Sequence, residues 1–461
     1  MGLPSESRTA GELPAGPPPR VAVLGGGLAG IAATAALAAA GYSVDLYESR
    51  AFLGGRATSW PVNANEGDSA PSEMIDNCQH ILLRCCVNLL DLYARLDAKD
   101  KIHFYREFYF IEPGGRTSIL KRGILPAPAH FAGSFLGLKF LGLRDKIAIG
   151  RAIRAIPRER RIRQDLDSIS MLDWLREKRQ TSAAIERYWR QVLVSAVNEE
   201  LDLMAASHGL QVFWLGMIAH SHSYEMGVPA VPLRDLYDEF ALRNTGRVAI
   251  HHRSAVTAIH EHKGRIEAIE TAEGPKIADY YISCLPFERL QPLGLELPID
   301  WAAFTHSPIT GIHLWFDRSI TNLPHATLLD RTVQWMFNKD SGHYIQLVVS
   351  ASRDLVTKSR ADIIQMAVAE LAEFFPAAKT AVLVKAQVIK EVRATFSARP
   401  NLEQLRPLPI TPYPNFFLAG DWTRSGWPAT MEGAVRSGYF AAEAVTLAAG
   451  APRSFVLPDL D

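Results

Sequence analysis

Residues 20–48 constrain this chain more than any other stretch. Arg20-Val-Ala-Val-Leu24 is a short apolar run of the kind buried in a parallel sheet. Gly25-Gly26-Gly27-Leu28-Ala29-Gly30 follows at once and fits G-x-G-x-x-G through Gly25, Gly27 and Gly30. An alanine-rich helix is predicted over 31–40, stopped by Gly41, and a second strand over 43–48 ends in an acid. Gly25 permits a tight turn, Gly27 lets backbone approach a pyrophosphate, and Gly30 lets helix and strand pack closely. The N–H groups at Leu28 and Ala29 bring the partial positive charge of a helix N-terminus to the phosphates. Glu48 suits the hydroxyls of an adenosine ribose and would repel a 2′-phosphate. Strand, glycines, helix, strand and acid in this order specify a dinucleotide-binding α/β unit.

Such a unit accounts for only part of 461 residues, so a second domain or a large composite one is expected. Forty-nine Lys and Arg balance 49 Asp and Glu, which excludes attraction to nucleic acid through bulk positive charge. Cys78, Cys85, Cys86 and Cys284 are too few to staple the chain and read as reduced thiols of a cytoplasmic protein. Residues 1–19 are rich in Pro, Gly, Ser and Glu, lack an apolar signal core, and read as a disordered tail. Glu6 stands where a myristoylation signal needs Ser or Thr. No apolar run reaches the length of a spanning helix. His220 with His222, His251 with His252, and His260 with His262 have no third ligand at a metal spacing, so no metal is expected.

The zero net charge hides a local excess. Residues 139–163 carry nine basic residues against two acids. Phe131, Phe135, Leu136, Leu138, Phe140, Leu141 and Leu143 precede or interleave with them. Apolar side chains among Lys and Arg suit an anionic leaflet, so peripheral association with the inner face of a membrane is an expectation; a solvated helical face is the alternative.

Directly after Glu48, Arg50, Gly54, Gly55 and Arg56 form a loop that a plain NAD fold does not need. The arginines can donate to a pyrophosphate, and the glycines allow close approach. In this it resembles the glutathione-reductase-type FAD fold, in the branch of amine oxidases and phytoene desaturases. The far end agrees: residues 415–419 read as a buried strand leading to Gly420 and Asp421, and a helix begins near Thr430, Met431 and Ala434. The resemblance implies that Asp421 bonds the ribityl–phosphate region and that this helix points its N-terminus at the flavin. It also implies a backbone contact from Val256 to adenine.

The predicted architecture is a Rossmann-type FAD-binding domain (20–95, 225–295 and 405–450) with an inserted α+β substrate domain (96–224 and 296–404). A helix over 234–244, a strand over 255–260, and a hairpin joining 103–111 to 116–120 are expected within it. No second glycine motif marks a nicotinamide domain, so an external electron donor is expected.

Asp76-Asn-Cys-Gln-His80, residues 125–128, Ser307-Pro308 with 313–318, residues 334–337, residues 393–397, Ala419-Gly-Asp-Trp422 and residues 426–433 together resemble the squalene-associated FAD-dependent desaturases. These are assigned as hydroxysqualene dehydroxylases of hopanoid biosynthesis. Cys78 stands where that family has glycine, which implies a slightly strained turn. The resemblance implies reductive loss of a hydroxyl from an isoprenoid lipid, hydroxysqualene, giving squalene. Such chemistry needs a hydride from reduced FAD, an acid for the departing hydroxyl and an apolar tunnel. His80, His313 and Glu432 are the candidate acids, with His80 first. Trp315, Trp335, Phe337, Trp422 and Trp427 are the candidate tunnel aromatics, whose faces could stabilise an allylic cation. An oxidative carotenoid-type desaturase, a flavin amine oxidase and a non-catalytic prenyl-lipid carrier are the competing readings.

Overall fold

The computed structural model describes residues 17–62, 73–237 and 239–460. The expected disordered tail lies almost wholly outside them. The β-rich apolar runs assemble into a five-stranded parallel sheet in the order Val248–His251, Ser43–Tyr47, Arg20–Leu24, Tyr280–Ser283, Phe416–Leu418. Both faces are covered, which is why Val21, Val23 and Leu24 form an unbroken apolar run with no solvent face. Helices Leu28–Ala39 and Met431–Ala448 pack against each other and start beyond the carboxyl ends of these strands.

A second, mixed sheet of seven strands has the order Leu383–Phe396, His306–Phe316, Tyr344–Ser350, Trp335–Asp340, His325–Leu328, Glu107–Ile111, Thr117–Lys121. One of its pairings, between His325–Leu328 and Glu107–Ile111, is parallel; the rest are antiparallel. Register places Thr327 opposite Trp335 and His325 opposite Phe337, with Phe337 opposite Gln346. One face packs on the Arg360–Phe374 helix through Ile312, Leu314, Met336 and Leu347. The other faces the helices built from residues 132–218.

Three predicted elements differ. The expected strand over 103–111 splits at Arg106. Ile102–Tyr105 joins Met226–Pro229 in another sheet, and only Glu107–Ile111 forms the hairpin with Thr117–Lys121. The Arg106 carbonyl accepts the Tyr224 hydroxyl instead (3.1 Å), so the chain changes sheets there. The helix expected over 234–244 is a 3₁₀ turn, Leu233–Leu236, followed by Glu239–Arg243. Tyr237 ends the turn at φ −110°, ψ 56°, with its ring buried beside Gly54. The strand expected over 255–260 is Ala258–His262, which leaves Val256 on the preceding segment. Cys78 is not among the residues with positive φ, so the substitution for glycine causes no backbone strain.

Candidate functional site

The amino ends of the two packed helices open onto one cavity of about 790 Å³, within the range of cofactor sites. Gly25, Gly27, Leu28, Ala29, Glu48, Arg50, Gly55, Arg56, Val256, Gly420, Asp421, Thr430, Met431 and Ala434 all line it. Gly30 stands behind the wall, where a Cβ would lie 1.9 Å from the Gly25 carbonyl oxygen. No side chain caps the Leu28–Ala39 helix, and its first turn has no acid. An anion therefore complements its N-terminus. Buried Glu48 accepts from the backbone N–H groups of Gly26 (2.7 Å) and Arg50 (2.8 Å), which holds the glycine turn against the second strand. These features fit a dinucleotide.

The arginines are more committed than the sequence implied. Arg50 donates to the Gly55 carbonyl (2.9 Å), closing its own loop. Arg56 donates to the Asp421 carboxylate (2.5 Å) and the Ala394 carbonyl (2.9 Å). The Arg56–Asp421 pair thus joins the loop after the second strand to the one after the last. Thr430 caps the C-terminal helix by accepting from the Gly433 N–H (3.0 Å).

A second cavity of about 180 Å³ adjoins the first, and Ile81, Ser195, Ala196, Thr430 and Met431 line both. Its remaining wall is largely apolar, with Leu82, Leu83, Leu89, Phe108, Phe110, Leu120, Val212, Leu215 and Met217. Leu215, Gly216 and Met217 lie on a π-helical turn, Trp214–Ile218. Such turns recur at functional sites because an extra residue re-aims the side chains around it. The volume is below that of ordinary ligand pockets, so a long chain must part these walls to enter.

His80 lines the cofactor cavity beside Arg56, Asn77 and Gln79. Its Nδ1–H donates to the Cys78 carbonyl (2.9 Å), which fixes the neutral tautomer and leaves Nε2 as the free nitrogen. Burial, helped by Arg56, holds its pKa below the usual histidine value. Glu432 lines the apolar cavity, but both carboxylate oxygens are occupied. They accept from the Asn88 backbone (3.2 Å) and side chain (2.8 Å) and from the Leu89 N–H (2.7 Å). Glu432 thereby ties helix Val87–Arg95 to the start of the C-terminal helix. Burial pushes its pKa up to about 7, outweighing those three donors.

Four sequence candidates lie elsewhere. His313 is wholly buried, bonds the Tyr344 hydroxyl through Nδ1 (2.7 Å), and lines neither cavity. Trp315 is at the far end of the same strand. It stacks on Tyr344 (4.4 Å) and donates to Glu73 (3.0 Å), outside both walls. Phe337 stacks behind Trp335 (5.7 Å) without reaching the wall. Trp422 lines the cofactor cavity instead of the apolar one. Trp335 and Trp427 do line the apolar cavity.

The sequence did not single out Gln191, Ser195, Asn198 or Arg406. Asn198, in the left-handed region at φ 58°, ends its helix at the cofactor cavity and bonds Ser307, Thr395 and Ala351. Arg406 is 1% exposed and donates to the backbone carbonyls of Asp421 (2.9 Å), Trp422 (3.3 Å), Thr423 and Trp427 (2.8 Å), and to Glu403 (2.5 Å). It clamps the loop between the last strand and the C-terminal helix. Among the described residues, no cluster of His, Cys, Asp and Glu could hold a metal, and no helix is long and apolar enough to cross a membrane.

The sequence is 28% identical to a 15-cis-phytoene desaturase of Synechococcus elongatus, over 92% of this chain and 95% of that one. It is 25% identical to a zeta-carotene desaturase of Synechocystis, over 92% and 97%. An oxidoreductase structure from Methanosarcina mazei superposes with a TM-score of 0.69 at 16% identity, covering 91% of this chain and 98% of that one. A putrescine oxidase structure also gives 0.69, at 14% identity, covering 93% and 98%. The profile of the flavin containing amine oxidoreductases matches residues 28–446, across both cavities. The chain therefore belongs to the flavin-containing amine oxidoreductase family and is an FAD-dependent oxidoreductase.

Proposed function

We propose that this flavoenzyme removes the hydroxyl of hydroxysqualene to give squalene, a step of hopanoid biosynthesis, with electrons from an external donor. The carrying observation is the apolar cavity that meets the cofactor cavity at Ile81, Ser195, Ala196, Thr430 and Met431. Relatives named for phytoene and zeta-carotene, both long isoprenoids, support the substrate class. The residues quoted above for the squalene-associated desaturases support the finer assignment.

The cavity lined by Gly25, Gly27, Leu28, Ala29, Arg56 and Asp421 would hold FAD, which when reduced would supply the hydride. Substrate carbon loses its C–O bond and gains a C–H bond, and the oxygen leaves as water once it takes a proton. The protein's part is positional. Leu82, Leu83, Leu89, Val212 and Leu215 hold the chain and exclude water, while Trp335 and Trp427 offer aromatic faces to positive charge developing at carbon. His80 carries the proton on Nε2, since Nδ1 is pinned to the Cys78 carbonyl. Its lowered pKa makes the imidazolium a stronger but scarcer acid, so turnover should rise as pH falls toward that pKa. His80→Ala should keep flavin, lose squalene formation by roughly 10²-fold or more, and flatten this pH limb. Wild-type turnover by the variant would remove His80 from the mechanism. The direct test is anaerobic incubation of reduced enzyme with hydroxysqualene: squalene supports the assignment, and an unchanged alcohol refutes it.

Delivery of this lipid accounts for the basic segment. At and just before its start the chain buries Leu138, Phe140 and Leu141 but leaves Leu136 and Leu143 exposed. Ile124 is fully exposed (100%), and Leu125 and Ile147 are also exposed. Arg144, Arg151 and Arg154 are exposed on the Leu143–Ile162 helix, and Lys121 and Arg122 flank Ile124. Leu120, next to this surface, lines the apolar cavity. Wild-type protein should float with anionic liposomes, and the Ile124→Asp/Leu143→Asp double variant should stay largely in the unbound fraction. Equal flotation of the two would discard this surface.

A further inference from the structure

The wall of the apolar cavity contains two polar atoms without a partner. Gln191 Oε1 and Thr327 Oγ1 meet no hydrogen-bonding group, although Gln191 is 6% and Thr327 1% exposed. Both residues line the cavity. Buried polar groups in folded proteins are almost always paired, so two unpaired ones in a ligand cavity point to the ligand.

Their neighbours hold them in place. The Trp335 indole N–H donates to Ser195 Oγ (2.7 Å), and Ser195 donates to the Gln191 carbonyl (2.8 Å). Gln191 lies one helical turn before Ser195, and Thr327 is the cross-strand partner of Trp335. The Ser195–Trp335 bond therefore joins the helix that carries Gln191 to the sheet that carries Thr327. Ser195 also lines the cofactor cavity, so it links this polar spot to the junction of the two. Gln191 Nε2 donates to the Glu186 carbonyl (3.3 Å), so the amide orientation is set and the free atom is the oxygen, an acceptor only. Thr327 Oγ1 can donate.

We infer that Gln191 and Thr327 are the hydroxyl-recognition pair that selects an isoprenoid alcohol over the parent hydrocarbon, an inference that rests on the function proposed above. An alcohol matches both groups at once: its O–H donates to Gln191 Oε1, and its oxygen accepts from Thr327 Oγ1. A hydrocarbon leaves both unpaired. Sites built to pair a substrate hydroxyl discriminate strongly against the analogue that lacks it, whereas apolar walls discriminate weakly.

The test is binding to the oxidised holoenzyme, read from perturbation of flavin absorbance, with hydroxysqualene and squalene as the two probes. Wild type should bind the alcohol at least about tenfold more tightly than the hydrocarbon. Thr327→Val and Gln191→Met should each weaken alcohol binding several-fold while leaving squalene binding unchanged, and the double variant should bind both equally. Thr327→Ser, which keeps the hydroxyl, should restore the preference; a purely structural role would not track the hydroxyl in this way. A flavin-loaded double variant that keeps the wild-type preference overturns the pair and leaves the proposed reaction standing. A wild type that converts hydroxysqualene yet binds the two probes equally does the same. A wild type that binds neither probe overturns the proposed function and the pair together.

Discussion

Arg406→Met is expected to purify with little or no bound flavin. The substitution keeps apolar bulk but removes every donor from a site where four backbone carbonyls and Glu403 converge on one guanidinium. Each acceptor left buried and unpaired costs about 1–3 kcal/mol, and four carbonyls lose their donor together. Whole domains are stable by only about 5–15 kcal/mol, so the loop 421–427 cannot keep its shape. Asp421 and Trp422 on that loop line the cofactor cavity, and Asp421 anchors Arg56. Collapse of the loop thus removes part of the cofactor-cavity wall and frees Arg56 at once. Arg406→Lys should recover only part of the flavin, because an ammonium is a point charge and cannot span the carbonyls that a planar fork reaches. The ratio of absorbance at 450 nm to that at 280 nm, with the melting temperature, reads the outcome. A methionine variant with the full flavin content and melting temperature of wild type would show that the loop holds itself.

The cofactor half of this site was legible because its chemistry is local. A glycine turn, a helix N-terminus and an acid at the end of the next strand are fixed by short-range geometry, so their residue types sit close together in the chain. Fourteen positions chosen from such patterns or from the family resemblance line one cavity; Gly30 alone of that set packs behind it. The substrate half is different. Its wall draws on residues 81–89, 108–120, 191–217, 327–335 and 427–432, which only the sheet register and helix packing bring together. Aromatic identity does not distinguish Trp335 from Trp315. Strand position does: Trp335 is in the rung opposite Thr327, and Trp315 is at the end of a strand two places away, opposite Tyr344. Arg406 carried little local signal, since apart from Glu403 the acceptors that define its role are backbone carbonyls 15 to 21 residues away.

Gly438→Ala should likewise lose flavin, through one methyl group. A Cβ at Gly438 would lie 2.2 Å from the Ala29 carbonyl oxygen and 3.0 Å from its carbonyl carbon. These are backbone atoms of the Leu28–Ala39 helix, so no side-chain rotation relieves the clash. The two helices must separate, and both begin at the cofactor cavity, Leu28 and Ala29 on one side and Thr430, Met431 and Ala434 on the other. Overpacking costs typically 1–3 kcal/mol, and a backbone clash of this depth belongs at or above the top of that range, about 3 kcal/mol. That corresponds to a fall in melting temperature of roughly 3 °C when all 461 residues melt together. Gly150→Ala is the matched control. Gly150 lies within the Leu143–Ile162 helix, and a Cβ there meets no atom within 4 Å. Alanine is favoured over glycine in a helix by about 1 kcal/mol, so this variant should melt slightly higher and keep its flavin. The same chemical change thus has opposite signs at two helical glycines. Only the distance to the neighbouring backbone separates them, and equal melting temperatures and flavin contents for the two variants would refute the close packing of the helices as the reason for Gly438.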